Sequence, residues 1–489
     1  MSRSPRTNAT ELTPLARRLS DSVADSPFWS LAHQVILVGT GFLADAYDLF
    51  VIDMVMSILH RLHPAGMDPW YKSLVASATL VGAIVGQLSF GLLGDWLGRK
   101  WTFIASCVLI IVGAVLSGCC LWTDGHFSIF YQLALCRFLL GVGVGAEYPL
   151  AASIAAEGAT NVGIGRHCAT YSRGRLIAGV FSMQGWGMLL SCVFVMLFLS
   201  VGMPLEYIWR CLLILGALPS AAIIYCRSRM EESFIYRKAK EDVAAKGEAD
   251  TLVKHLGIAA AHVKRYWRPL TGTTMTWLLL DVTFYGTGSF KHRISGWIMD
   301  HRAGSVREEI WDEAVFAAIC ASMAMPGYLL SVLYIDRLGR YRIQFWGFVA
   351  MAVNFFLISL LSWSDVRLAG VMRWWMLICF GFTFLFSNFG PNTTTFVLPA
   401  EVYPTLIRAT CHGISAAAGK LGAVIGVVAF SPCEQEFGLE SVLAGCGVVC
   451  IVGALFTYFF TTEKVVELEE LDAAPDLPAA PKAGRRGTV

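Results

Sequence analysis

The sequence predicts an all-α membrane protein, with twelve transmembrane helices in two six-helix bundles. Three observations predict it. Hydrophobic residues make up 56% of the 489, and charged residues only 15%, where a soluble domain carries about 25%. Apolar runs of about 20 residues, enough to cross a bilayer, recur along nearly the whole chain. One long polar stretch divides these runs six from six. The length alone would suit roughly three soluble domains, but that prior assumes water outside.

Residues 1–33 form a polar arm with Arg3, Arg6, Arg17 and Arg18. No apolar core follows directly on this basic start, so it does not read as a cleaved secretory signal, and targeting is expected from the first span. The first half, 34–226, holds runs at 34–58, 73–93, 102–122, 130–156, 176–201 and 207–226. Residues 227–270 read as a linker with some amphipathic helix, carrying Arg227, Arg229, Arg237, Lys238, Lys240, Lys246, Lys254, Lys264, Arg265 and Arg268. The second half, 271–461, holds runs at 271–290, 313–335, 343–363, 373–398, 409–430 and 441–461. The tail, 462–489, is polar, Ala/Pro-rich and expected to be disordered.

The basic arm and linker share one side in this topology, which predicts both termini in the cytosol. The short loops do not decide it: Arg99, Lys100, Arg166, Arg173, Arg175, Arg337, Arg340 and Arg342 fall inside, and Lys291, Arg293, Arg302 and Arg307 outside. The sequon Asn8-Ala9-Thr10 lies on the cytosolic arm and should be silent. A formal charge of +2 gives no case for nucleic acid. Most of the 14 cysteines sit singly in apolar runs, where a free thiol behaves as a small hydrophobe. Cys119-Cys120 lacks metal-ligand spacing, no C-x-x-C occurs, and no metal or cofactor is expected.

Six acids and one lysine fall within or beside the apolar runs: Asp45, Asp48, Asp53, Glu147, Asp281, Glu401 and Lys420. An ionisable group in hydrocarbon is costly unless it faces a cavity or a partner, so its default reading is functional. The chain also repeats itself. Gly94-Asp95-Trp96-Leu97-Gly98-Arg99-Lys100 follows the second run, and Ile335-Asp336-Arg337-Leu338-Gly339-Arg340-Tyr341 follows the eighth. Arg229-Met230-Glu231-Glu232-Ser233 and Thr462-Glu463-Lys464 echo each other after the sixth and twelfth. Two related six-helix halves are the mark of a secondary transporter whose site lies between them. Asp95, Arg99, Asp336 and Arg340 are then candidates for gating salt bridges; the plainer reading is a positive-inside turn.

Asp45 and Asp48 are three apart and share a helix face. Two carboxylates on one face repel when both are ionised, which suits a proton carrier; the alternative is a structural pairing with an arginine such as Arg137. Trp277, Asp281 and Tyr285 are spaced by four on one face. An indole N–H, a carboxylate and a phenol suit a protonated oxyanion; an aromatic packing face is the alternative. Gly141, Gly143 and Gly145 invite a nucleotide-loop reading, but no Gly-Lys-Ser/Thr follows, and close helix packing explains them better.

The D-x-L-G-R repeats resemble the major facilitator superfamily. Gly41-Phe42-Leu43-Ala44-Asp45-Ala46-Tyr47-Asp48-Leu49-Phe50, Gly141 to Leu150, Gly179 to Gly185, Trp277 to Gly286 and Asn388-Phe389-Gly390-Pro391-Asn392-Thr393-Thr394-Thr395-Phe396 are similar to the phosphate:proton symporters of fungi and plants. The likeness continues through Glu401, Arg408 and His412 to Lys420, and covers about 35–462. It implies a proton-coupled inorganic phosphate symporter, not an enzyme, in the plasma membrane. It assigns phosphate to Tyr148, Gln184, Trp277, Asp281, Tyr285 and Asn392, and proton coupling to Asp45, Asp48, Glu147 and Lys420. The lysine is either the partner of the first-helix acids or part of the phosphate attraction. The chain departs from the family's pattern in having Glu147 for the usual aspartate, and Ser106 near the place of a third-helix acid. The rival functions are a carrier for an organic anion or a sugar, and a phosphate-binding nutrient sensor. A sugar porter would show a glutamine-rich seventh helix, in place of W-x3-D-x3-Y.

Overall fold

The computed structural model describes residues 27–64, 69–121, 128–161, 173–245, 251–288, 305–363, 371–461 and 471–472. Among these there are helices and no strands. The first half comprises α1 (Pro27–Leu62), α2 (Pro69–Leu97), α3 (Arg99–Gly118), α4 (Ile129–Asn161), α5 (Arg173–Ser200), α6 (Leu205–Leu215) and α7 (Ala217–Arg229). The linker forms α8 (Phe234–Ala245) and α9 (Leu252–Arg265). The second half comprises α10 (Trp267–Gly288), α11 (Val306–Leu338), α12 (Arg340–Trp363), α13 (Val371–Asn388), α14 (Pro391–Glu401), α15 (Arg408–Phe437) and α16 (Leu439–Phe460). Arg3, Arg166, Lys291, Arg293, Arg302, the Asn8 sequon and the Thr462-Glu463-Lys464 echo lie outside the described residues.

Ten spans among the described residues are long and apolar enough to cross a membrane, with α6 and α7 forming one of them. The other two predicted spans are α10 and the broken pair α13–α14. Both carry polar residues, Asp281 and a run of threonines in α10 and the segment Asn392-Thr393-Thr394-Thr395 in α14, and the second is broken at Phe389-Gly390. The chain is therefore an integral, multi-pass membrane protein, with helices among the described residues in the place of each expected span.

The run 373–398, expected as one helix, is interrupted at Phe389-Gly390. Gly390 is followed by a proline at the first position of α14, a residue that restricts the one before it and lacks an N–H. The freed carbonyl of Asn388 accepts from Ser331 Oγ and Thr393 Oγ1, both at 2.7 Å. Broken backbone survives at membrane depth only where it is satisfied in this way.

Within the first half, Gly141 and Gly145 bring α4 against α2: a Cβ on either would fall on the carbonyl of Thr79 or Ala83. Gly143, on the opposite side, faces Ser106 and Ile110 of α3. The glycine run is thus a packing device. Gly145→Val should lower the unfolding temperature in detergent, since overpacking costs about 1–3 kcal/mol. An unchanged melting curve would show that this approach is not needed. Across the halves, α2 packs on α15 and α5 on α11.

Candidate functional site

Midway through the bundle, α10 and α15 face α4. Lys420 on α15 donates to Asp281 Oδ2 at 3.2 Å and to Tyr285 Oη at 3.0 Å. Its ammonium lies 5.0 Å from the Tyr148 ring centre and 4.7 Å from that of Tyr285. Trp277 lies against Gly419 and 6.2 Å from Tyr148, centre to centre. The four-residue spacing on α10 thus delivers Asp281 and Tyr285 to the lysine and Trp277 to its neighbour Gly419. Asp281, Trp277, Tyr148 and Lys420 are all buried. Lys420 takes Asp281 as its counter-charge, and among the described residues no ion pair joins it to the first-helix acids. Gln184 and Asn392 are buried on α5 and α14. Asn392 donates to Asn388 Oδ1 at 2.6 Å, within its own broken span.

The first-half acids form a second locus. Arg227 on α7 donates to both oxygens of Glu147, with the Nη2–Oε2 bond at 2.8 Å. Ser106 Oγ adds a bond to Glu147 Oε1 at 2.7 Å, and Cys107 Sγ lies 2.7 Å from Arg227. The guanidinium sits 3.4 Å from the centre of the Phe103 ring. Gly41 leaves the room: a Cβ there would lie 2.5 Å from Glu147 Oε2. Arg227 was expected in the linker; it is instead 1% exposed, inside the membrane domain. Asp48 faces Arg137, at 4.0 Å from Oδ1 to Nη1, and Arg137 also donates to the Asp48 carbonyl and to Thr79. Arg137 is thus the cation that faces Asp48, with no hydrogen bond between the two side chains. Neither the oxygens of Asp45 nor those of Asp48 have a hydrogen-bond partner, and both residues are buried. Asp53 is exposed.

The face carrying the linker is tied shut between the halves. Asp95 on α2 accepts from the N–H groups of Ala409 and Thr410, at 3.3 and 2.7 Å, and from Thr410 Oγ1 at 2.7 Å. It thereby caps α15 from the opposite bundle, where a negative charge meets the positive helix end. Arg99 pairs with Asp95 at 3.1 Å and with Glu157 at 3.0 Å, and Arg408 pairs with Glu157 at 3.1 Å. The second repeat does the same: Arg340 meets Asp336 at 3.0 Å and Glu401 at 2.7 Å, while Arg173 and Arg175 of α5 approach Glu401 and Asp336 at 3.6 and 3.5 Å. The linker locks onto this lattice. Glu232 accepts from the N–H groups of Arg99 and Lys100, and Ser233 donates to Glu157 at 2.5 Å. Asp472 of the tail accepts from the N–H and Oγ1 of Thr405, at 2.8 and 2.7 Å.

Above this lattice, Phe42, Phe181, Phe396 and Trp277 form an aromatic floor drawn from both halves, with Phe396 4.9 Å from both Phe42 and Phe181. Toward the opposite face a cavity of about 710 Å3 lies between α1, α2, α5, α10 and α11, with Phe50, Asp53, Arg61, Phe284 and Tyr285 among its walls. At its rim Arg61 crosses to Glu309 at 3.2 Å and Glu313 at 2.6 Å. The molecule is therefore closed toward the linker and hollow toward the other side.

Sequence reading missed Arg227, Glu157, and the Arg61–Glu313 pair. Among the described residues no cluster suited to a metal ion occurs. The profile of the sugar (and other) transporter family matches residues 34–474. Inorganic phosphate transporter 1-1 of Arabidopsis thaliana is 33% identical over 511 residues, covering 91% of this chain and 94% of that protein. Inorganic phosphate transporter 1-6 of Oryza sativa subsp. japonica is 33% identical over 511 residues, covering 91% and 92%. The structure of the proton:xylose symporter XylE bound to 6-bromo-6-deoxy-D-glucose superposes with a TM-score of 0.71 at 20% identity, covering 91% of this chain and 99% of that one.

Proposed function

The chain belongs to the sugar (and other) transporter family, and from that premise we propose that it moves inorganic phosphate together with protons by alternating access. The observation that carries this reading is the buried lysine in its cage of one carboxylate and two tyrosines. A buried cation needs an anion or a counter-charge. Lys420 has one carboxylate, and donors beside it for an incoming oxyanion. A phosphate oxygen takes the ammonium, while a phosphate hydroxyl donates to Asp281, so the carboxylate welcomes only a protonated oxyanion. Tyr148, Trp277 and Tyr285 line that place, with Gln184 and Asn392 completing it as the halves rock.

Binding and protonation are the whole of this chemistry; no covalent bond is made or broken except to hydrogen. The protein is read as residing in the plasma membrane with the linker face and both termini in the cytosol, so the cavity opens outward. The lattice of Asp95, Arg99, Asp336 and Arg340 then serves as the inner gate. The similarity to phosphate transporters of two plants over most of both chains favours phosphate over a sugar.

The test is uptake of labelled phosphate into proteoliposomes. Uptake should rise as the outside pH falls, because the proton enters with the anion, and a protonophore should abolish accumulation. Uptake that follows a sodium gradient and ignores the proton gradient would refute the coupling.

A further inference from the structure

Thr405 opens the short 3-10 turn Thr405–Ile407 that leads into α15, and three parts of the chain meet on it. Its carbonyl accepts from Arg99 of the first half at 2.9 Å. Its hydroxyl accepts from Arg408 Nη2 at 2.9 Å and donates to Asp472 Oδ2 of the tail at 2.7 Å. One hydroxyl thus links the guanidinium of Arg408 to the tail carboxylate. Arg408 is wholly buried and Asp472 is exposed. The charged groups that act on Arg408 are Glu157, Arg99 and Arg173, all of the first half, and Asp472. While the linker face is closed, two carboxylates therefore share one arginine, and they belong to different bodies. Glu157 rides with α4. Asp472 holds Thr405, which rides with Arg408 and α15. A strap would have to bond across the halves, and the hydrogen bonds of Asp472 stay within the second.

We propose that Asp472 is a positioning residue for the opening of the linker face: it receives Arg408 when Glu157 departs, so that the docked tail favours the open state. This rests on the alternating-access reading above. When the halves part at this face, Arg408 stays on α15 and loses the Glu157 contact at 3.1 Å. An arginine stripped of a buried partner is costly, and the carboxylate one hydroxyl away is already placed to take it. Before the parting, the two carboxylates repel across the arginine they share. Both effects act toward opening. Water screens the exposed Asp472, which keeps the bias small. Whatever draws the tail off Thr405 then slows the carrier without touching the lysine cage.

Full-length Asp472→Asn in proteoliposomes tests this, with Asp472→Glu as the rescue. Opening is read at Cys411, wholly buried on α15 beside Tyr403 and Ile407, from its rate of alkylation by a permeant maleimide and mass spectrometry of its peptide. Asp472→Asn should slow that alkylation by about threefold, the size expected of an exposed charge, and phosphate uptake should slow with it. Asp472→Glu should restore both rates. Thr405→Val, which deletes the linking hydroxyl, should slow both in the same way, and it carries the comparison should Asp472→Asn fold poorly. The difference between wild type and Asp472→Asn should shrink as salt is raised, because an exposed charge is screened. Faster alkylation in Asp472→Asn would make the tail a strap; an unchanged rate would make its contact idle; a difference indifferent to salt would make it structural. Each of these overturns the proposal. A wild-type protein that takes up no phosphate would refute the phosphate reading and leave the Cys411 comparison to decide this one.

Discussion

Asp281→Asn should weaken phosphate binding by at least about a hundredfold, while Asp53→Asn should change it by less than about threefold. The contrast comes from surroundings, since both are aspartates in apolar helices. Asp281 is 2% exposed and is the counter-charge of Lys420. Removing one member of a buried pair costs about 3–5 kcal/mol, much of it the stranded partner. An amide also no longer accepts from a phosphate hydroxyl as a carboxylate does. Asp53 is exposed on the wall of the cavity, where solvent screening makes a charge worth little. Equilibrium binding of labelled phosphate in detergent, beside a melting curve for each variant, gives the comparison. Equal small losses would show that the lysine cage is not where phosphate sits.

Glu157→Gln should open the linker face. This side chain binds Arg99 of its own half, Arg408 of the other half and Ser233 of the linker. Its loss leaves two arginines sharing a buried space with one fewer negative charge. Each tenfold shift in the conformational ratio needs only about 1.4 kcal/mol, well within the cost of breaking a buried pair. Cys411 provides a native reporter, for it is wholly buried on α15 beside this lattice. Alkylation of the Cys411 peptide, followed by mass spectrometry, should be at least about tenfold faster in the variant, and accumulation of phosphate should fall with it. Unchanged protection of Cys411 would mean that Asp95 and the second repeat suffice to hold the face closed.

Most of the architecture was legible because periodicity and length speak directly of spans. The repeats at Asp95 and Asp336 gave away the two halves. What failed did so for definable reasons. Glu157 and Arg227 each lie one residue beyond a run drawn from hydropathy, 130–156 and 207–226, so neither was weighed as a membrane residue. Hydropathy marks the end of oil, not the end of the helix. The break at Gly390 was hidden inside a run of spanning length, although Gly390-Pro391 and the flanking Asn388 and Asn392 carried a signal. The partner of Lys420 stayed open, since α10 and α15 meet across a sequence separation of 139 that no local pattern reports. Asp45 and Asp48 share a face, yet three residues on a helix still leave an angle between them. That angle sends one toward Glu147 and Arg227, and the other toward Arg137.

The charge buried in the membrane core also bears on what would drive the proposed symport. If one buried carboxylate takes up the proton, the core loaded with the phosphate monoanion holds the anion and one neutral acid. Empty, it would hold no anion and that acid ionised. The two forms carry equal charge, so the outward and return strokes cancel electrically. A membrane voltage, worth about 2.3 kcal/mol per elementary charge at 100 mV, then does no net work on the cycle. Such a carrier would keep concentrating phosphate in a depolarised cell for as long as the outside stayed acidic.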